Sequence, residues 1–144
     1  MQFKKGGGGR SAYAYVFSAP DSANTIYVND LLFDVQEPEL FAATLVHEAT
    51  HLTQATVQRN QFYSEKEAYI EQSRFLRSVG VSGGYQEIRG TLGNPRLSRG
   101  AGGWIRDQGR NMQYYQLSNA AIEPDPRDIG KDEWQSWLRG HIGL

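Results

Sequence analysis

Residues 34 to 54 read Asp34-Val-Gln-Glu37-Pro38-Glu-Leu-Phe41-Ala42-Ala-Thr-Leu45-Val46-His47-Glu48-Ala49-Thr-His51-Leu52-Thr-Gln54. Phe41, Leu45, Ala49 and Leu52 recur at intervals of four, four and three, with Ala42 and Val46 beside them. The segment is therefore expected to be an amphipathic helix running to about Val57. Pro38 suits a first helical turn, and Asp34 followed three residues later by Glu37 resembles a capping signal, which places the start near positions 35 to 38. One turn takes 3.6 residues. His47 and His51 thus project side by side, with Glu48 next to them.

Two imidazoles so spaced can close on one zinc ion at about 2.0–2.1 Å each, and Glu48 can reach a water on that metal without being a ligand, the position of a general base. With three histidines in the chain, a chance His-Glu-x-x-His is on the order of three in a thousand for this composition. Cysteine is absent, so any metal must be held by His and carboxylate. A catalytic zinc usually takes three protein ligands. A third histidine further along the same helix is ruled out, because position 54 is Gln and position 57 is Val.

The remaining donors are Glu65, Glu67, Glu71 and His141. Ser64 and Glu67 read as a capping box, and Ala68, Gln72, Phe75, Leu76 and Val79 trace a second helical face that Gly80 stops. A short connection favours antiparallel neighbours, so a carboxylate fourteen residues after His51 can return to the metal. Glu65 is favoured: a capping box would tie Glu67 to Ser64, and the small Ala68 one turn on from Glu65 lets the helices approach closely. Glu67, Glu71 and His141 stay open as alternatives.

Elsewhere, Ser11 to Phe17 alternates as a strand, and Thr25 to Val28 is a second β-prone run that can pair with it as a hairpin across Pro20 to Asn24. Gly80 to Gly109 is dense in glycine without apolar periodicity and is expected to be a long irregular loop or a set of short strands, forming a rim or lid. A last helix is expected at Lys131 to Arg139, docked through Trp134, Trp137 and Leu138. Residues 1 to 10, with the run Gly6 to Gly9, read as a flexible tail or linker at the edge of a larger protein, and 11 to 144 as one domain. The fold class is α+β, mostly helical, with a small sheet beside the His-Glu-x-x-His helix.

Lys plus Arg total 15 against 16 Asp plus Glu, a net charge of -1, which gives no general attraction to polyanions or acidic membranes. No apolar run is long enough to span a bilayer and the N-terminus lacks the apolar core of a signal peptide, so the chain is expected to be soluble, in the cytoplasm or delivered from it.

His47-Glu48-Ala-Thr-His51 followed by Glu65-Lys-Glu-Ala68-Tyr69 resembles the gluzincin type of zinc metallopeptidase, whose second motif is Glu-x-x-Ala or Glu-x-x-x-Asp on a following helix. The resemblance covers roughly 25 to 79. It implies a minimal metallopeptidase in which His47, His51 and Glu65 bind zinc, Glu48 activates water, and the substrate is a peptide or protein. Four residues after Glu65, where such enzymes carry an acid, this chain has Tyr69. The resemblance also implies a donor to the tetrahedral intermediate, for which Tyr69, Tyr114, Tyr115, Arg106 and His141 are available, and a peptide-binding edge strand at Thr25 to Val28. Two other classes compete. One is a zinc-stapled interaction domain without hydrolysis. The other is a nucleic-acid module in which Arg89, Arg96, Arg99, Arg106 and Arg110 interleave with Tyr85 and Trp104.

Overall fold

The computed structural model describes residues 2–5, 12–16, 25–54, 61–92 and 99–117. Strands β1 (Gln2–Lys5), β2 (Ala14–Tyr15) and β3 (Thr25–Val28) are followed by helices α1 (Asp30–Phe33), α2 (Pro38–Gln54), α3 (Gln61–Ser78), α4 (Tyr85–Thr91) and α5 (Arg99–Tyr114). The α+β, mostly helical class expected from the sequence holds.

The sheet has the order β1-β3-β2, with β1 parallel and β2 antiparallel to β3. Ala14 pairs with Val28 and Tyr15 with Tyr27, so alternation puts Ala14, Ile26 and Val28 into the core while the rings of Tyr15 and Tyr27 stack 5.2 Å apart. Two expectations change here. Gln2–Lys5 is a strand rather than part of a linker, although Gly6 to Gly9 lie outside the described residues. β3 is central, with both sides paired, so it cannot accept a peptide by strand addition as an edge would.

Helix α2 begins at Pro38, as expected, but Asp34 is not its cap. Asp34 instead closes α1, and the Glu37 carbonyl accepts the first α2 amides. The buried stripe of α2 also differs from the apolar one. Phe41, Leu45, Ala49 and Leu52 are half-buried flanks, and the most buried line is Leu40, Ala43, Thr44, His47, Glu48 and Gln54. Polar groups can occupy that line because neighbours partner them: Glu65 of α3 meets His47, Ser64 and Glu67 of α3 meet Gln54, and Trp104 of α5 meets Thr44.

Gly80 stops α3 in the left-handed region, at φ 82°, with Val81 N–H donating to Leu76 O at 2.8 Å and Gly80 N–H to Arg77 O at 3.0 Å, a Schellman closure. Most of the described residues after it are helical rather than a loop or short strands. Residues 85–91 and 99–114 form α4 and α5, and α5 buries Ala101, Trp104, Ile105, Gln108 and Met112 at helical spacing. Its glycines mark close approaches rather than breaks: a methyl group on Gly100 would overlap the Asp34 carbonyl, and one on Gly109 would meet the Tyr85 ring. Trp104 is fully buried and donates from Nε1 to Thr44 Oγ1 at 2.8 Å, fastening α5 to α2 one turn before His47. The expected helix at Lys131 to Arg139 lies outside the described residues.

Opposite outcomes are expected at two α5 glycines. Gly100→Ala must push the helix off the Asp34 backbone and should cost about 2 kcal/mol or more, whereas Gly102→Ala, with open space around it, should gain about 0.5–1 kcal/mol of helix propensity. Urea denaturation of the two variants measures both. Equal effects would contradict the packing described.

Candidate metal centre

Helices α2 and α3 bring together His47, His51 and Glu65, each offering one ligand atom within 4.8 Å of the others. His47 Nε2 lies 3.0 Å from Glu65 Oε2, His51 Nε2 lies 3.0 Å from Glu65 Oε1, and the two Nε2 atoms are 3.2 Å apart. Ligands about 2.0–2.1 Å from a tetrahedral zinc stand roughly 3.3 Å from one another. The Nε2–Nε2 separation is close to that edge length, the two imidazoles meet different oxygens of the Glu65 carboxylate, and one ligand atom from each residue lies within 4.8 Å of the others, so the donor set is compatible with one small divalent ion. Two imidazoles and a carboxylate are also the ligand types that zinc takes when thiolate is lacking.

The residues of this group are little exposed. His47 is buried, and the side chains of His51 and Glu65 are 12% and 24% exposed. Burial alone would raise the Glu65 pKa, but hydrogen bonds and charge from both histidines outweigh it and hold the carboxyl far below its ordinary range. For His51, burial favours the neutral ring, yet Glu65, Glu48 and Gln54 together raise its pKa. His47 is more deeply desolvated, and its pKa falls despite Glu65. Glu48 is buried next to this group. Desolvation pushes its pKa up to about 8, opposed by His51 and reinforced by Glu65.

The other proposed ligands are engaged elsewhere or lie beyond view. Glu67 Oε2 accepts from Gln54 Nε2 at 2.7 Å, Glu71 pairs with Arg74 at 2.7 Å, and His141 lies outside the described residues. The Ser64–Glu67 capping box does not form because α3 starts earlier, at Gln61. Ser64 Oγ turns to Gln54 Oε1 at 2.7 Å and lies 3.2 Å from His51 Nδ1. Ala68 is fully buried, in keeping with close approach of the helices.

Tyr69, at the position where gluzincins carry an acid, packs edge-on with His47 with centroids 4.4 Å apart, and Asn111 Nδ2 donates to its hydroxyl at 2.6 Å. Burial first, and then the Glu65 charge, raise the pKa of Tyr69; the same two causes put Tyr115 at about 12. Both hydroxyls thus stay protonated near the centre. Tyr114 is exposed, and Arg106 is exposed beside Asp107.

Residue roles missed by sequence reading are those of Gln54, Ser64, Gln72 and Gln108. His51 Nδ1 is 3.0 Å from Gln54 Oε1, and Gln72 Nε2 donates to Gln108 Oε1 at 2.7 Å. The sequence signal was present at Gln72, a polar residue on an otherwise apolar face of α3. No such signal marked Gln108, because α5 itself went unread.

Compared with known proteins, the chain matches no family model, no curated protein and no solved structure.

The raised pKa of Glu48 fixes the sign of a pH effect in protein stripped of divalent ions. The folded state holds the Glu48 proton between pH 4.5 and about 8 where the unfolded chain has lost it, so this group's contribution to stability falls as pH rises through that window. Glu48→Gln should therefore gain on wild type between pH 5 and 8, by at most about 1.4 kcal/mol per pH unit. Parallel urea-denaturation profiles for the two proteins would contradict this.

Proposed function

We propose that the protein is a zinc-dependent peptidase of the gluzincin type, with His47, His51 and Glu65 as metal ligands and Glu48 as general base. The observation that supports this reading is the convergence of His47, His51 and Glu65, each with a ligand atom within 4.8 Å of the others, with a buried carboxylate one residue from the first of them.

A zinc ion held there would polarise the scissile carbonyl and lower the pKa of a bound water to about 7. Glu48 would take the proton from the attacking water and deliver it to the leaving amine. Its buried setting favours that exchange, since a carboxylate with a raised pKa holds a proton more readily than an exposed one. His47 and His51 are held by packing between α2 and α3, and Tyr69 limits rotation of the His47 ring. Tyr69, whose ring packs against His47, and Tyr115, packed against Tyr69, both keep their protons and are the donors we assign to a developing oxyanion.

The zinc-stapled interaction domain remains the second reading, because the same ligands would serve it. Base stacking by Trp104 is excluded, since that ring is fully buried. Among the described residues no helix is long and apolar enough to cross a membrane.

Elemental analysis together with cleavage of a diverse peptide library tests the proposal. Glu48→Gln should keep stoichiometric zinc and lose hydrolysis by about 10²–10⁴-fold. His47→Ala, His51→Ala and Glu65→Ala should lose the metal, and Glu67→Ala should retain it. Bound zinc without hydrolysis in the wild type would favour the interaction domain, and unchanged cleavage in Glu48→Gln would remove that residue from the chemistry.

A further inference from the structure

We propose that Gln54 and Gln72 are positioning residues that fix His51 and His47 as Nε2 ligands, with neutral amides standing where metal-binding histidines often meet carboxylates. The inference rests on the metal reading above and extends it to the residues behind the ligands.

At His51 the chain of constraint runs inward from a carboxylate. An ionised carboxylate only accepts hydrogen bonds, so the group facing Glu67 Oε2 across 2.7 Å must be the NH₂ end of Gln54. The same NH₂ reaches the Ser64 carbonyl at 3.3 Å. The carbonyl end is thereby turned to His51, where it accepts from Ser64 Oγ–H at 2.7 Å and faces Nδ1 at 3.0 Å. Nδ1 must then be the donor, which leaves the Nε2 lone pair of a neutral ring aimed at Glu65 Oε1, 3.0 Å away. Two lone pairs at that separation need a proton or a metal cation between them. Glu67 thus reads through Gln54 to the tautomer of His51.

The arrangement at His47 repeats this logic with a second glutamine. Gln72 is 1% exposed and spends its NH₂ on Gln108 Oε1, so its carbonyl is the end left for the ring. His47 Nδ1 is buried and has no hydrogen-bond partner among the described residues. A ring that binds metal through Nε2 must carry its proton on Nδ1. The buried atom without a partner is therefore the one that metal binding obliges to donate, and the Gln72 carbonyl, whose amide NH₂ is already spent on Gln108, is the acceptor assigned to it. Helix α5 takes part in this, since Gln108 is its contribution.

Zinc dissociation constants measured by chelator competition, with ¹⁵N imidazole spectra of the zinc-loaded protein, test the proposal. Gln54→Leu and Gln72→Leu should each weaken zinc binding by about 10–100-fold. Wild-type spectra should show both Nδ1 atoms protonated and both Nε2 atoms on the metal. Gln54→Glu should also weaken binding by setting two carboxylates face to face, and the exchanged pair Gln54→Glu with Glu67→Gln should recover most of the loss, because donor and acceptor are merely swapped. A structural role alone would not produce that recovery. Wild-type affinity in both leucine variants, or no recovery in the exchanged pair, overturns the proposal. Should wild type and His51→Ala fail equally to bind zinc, the metal reading falls, and this inference with it.

Discussion

One carboxylate, that of Glu65, meets two imidazoles across the seam between α2 and α3, and the rest of the fold is arranged to make that meeting tolerable. Taking three such groups out of water costs several kcal/mol per charge unless each finds a partner. The partners here are one another, Gln54 beside His51, and Tyr69 packed edge-on with His47. The polar stretch buried along α2 from Thr44 to Gln54 is the result, and beside it Phe41, Leu45, Ala49 and Leu52 are left as half-buried flanks.

Helix α5 keeps this seam closed from behind. Trp104 bonds to Thr44 on α2, Gln108 to Gln72 and Asn111 to Tyr69 on α3, so one helix touches both walls of the centre. Its C-terminal end turns at Gln116, a non-glycine residue at φ 61°, with Leu117 N–H donating to Met112 O at 2.7 Å. That turn brings Tyr115 and Leu117 onto Tyr69 and Ile70. The glycines at 100 and 109 serve the same packing, because each removes a side chain where α5 presses on a neighbour.

What could be read from the sequence follows the strength of local signals. Helices α2 and α3 were legible because Pro38 and Gly80 bound them and apolar residues recur between, and His47, His51 and Glu65 then follow from ligand spacing and the closeness allowed by Ala68. Helix α5 was hidden because Gly100, Gly102, Gly103 and Gly109 mimic loop composition, and only the tertiary contacts show which of them are demanded by packing. Strand β1 was hidden by its brevity and by the adjacent glycine run, since Gln2–Lys5 carries no apolar alternation of its own. The roles of Gln54 and Ser64 could not be read either. A glutamine near a helix end is ordinary until a neighbouring helix supplies Glu67 and turns its amide toward a histidine.

The metal centre carries the functional account by itself. Its most direct test is X-ray absorption at the zinc edge on protein loaded with one equivalent of the metal. The account predicts a four-coordinate shell of nitrogen and oxygen at about 2.0–2.1 Å, with the multiple scattering of two imidazoles. A shell of water oxygens alone, or one containing a single imidazole, would contradict it.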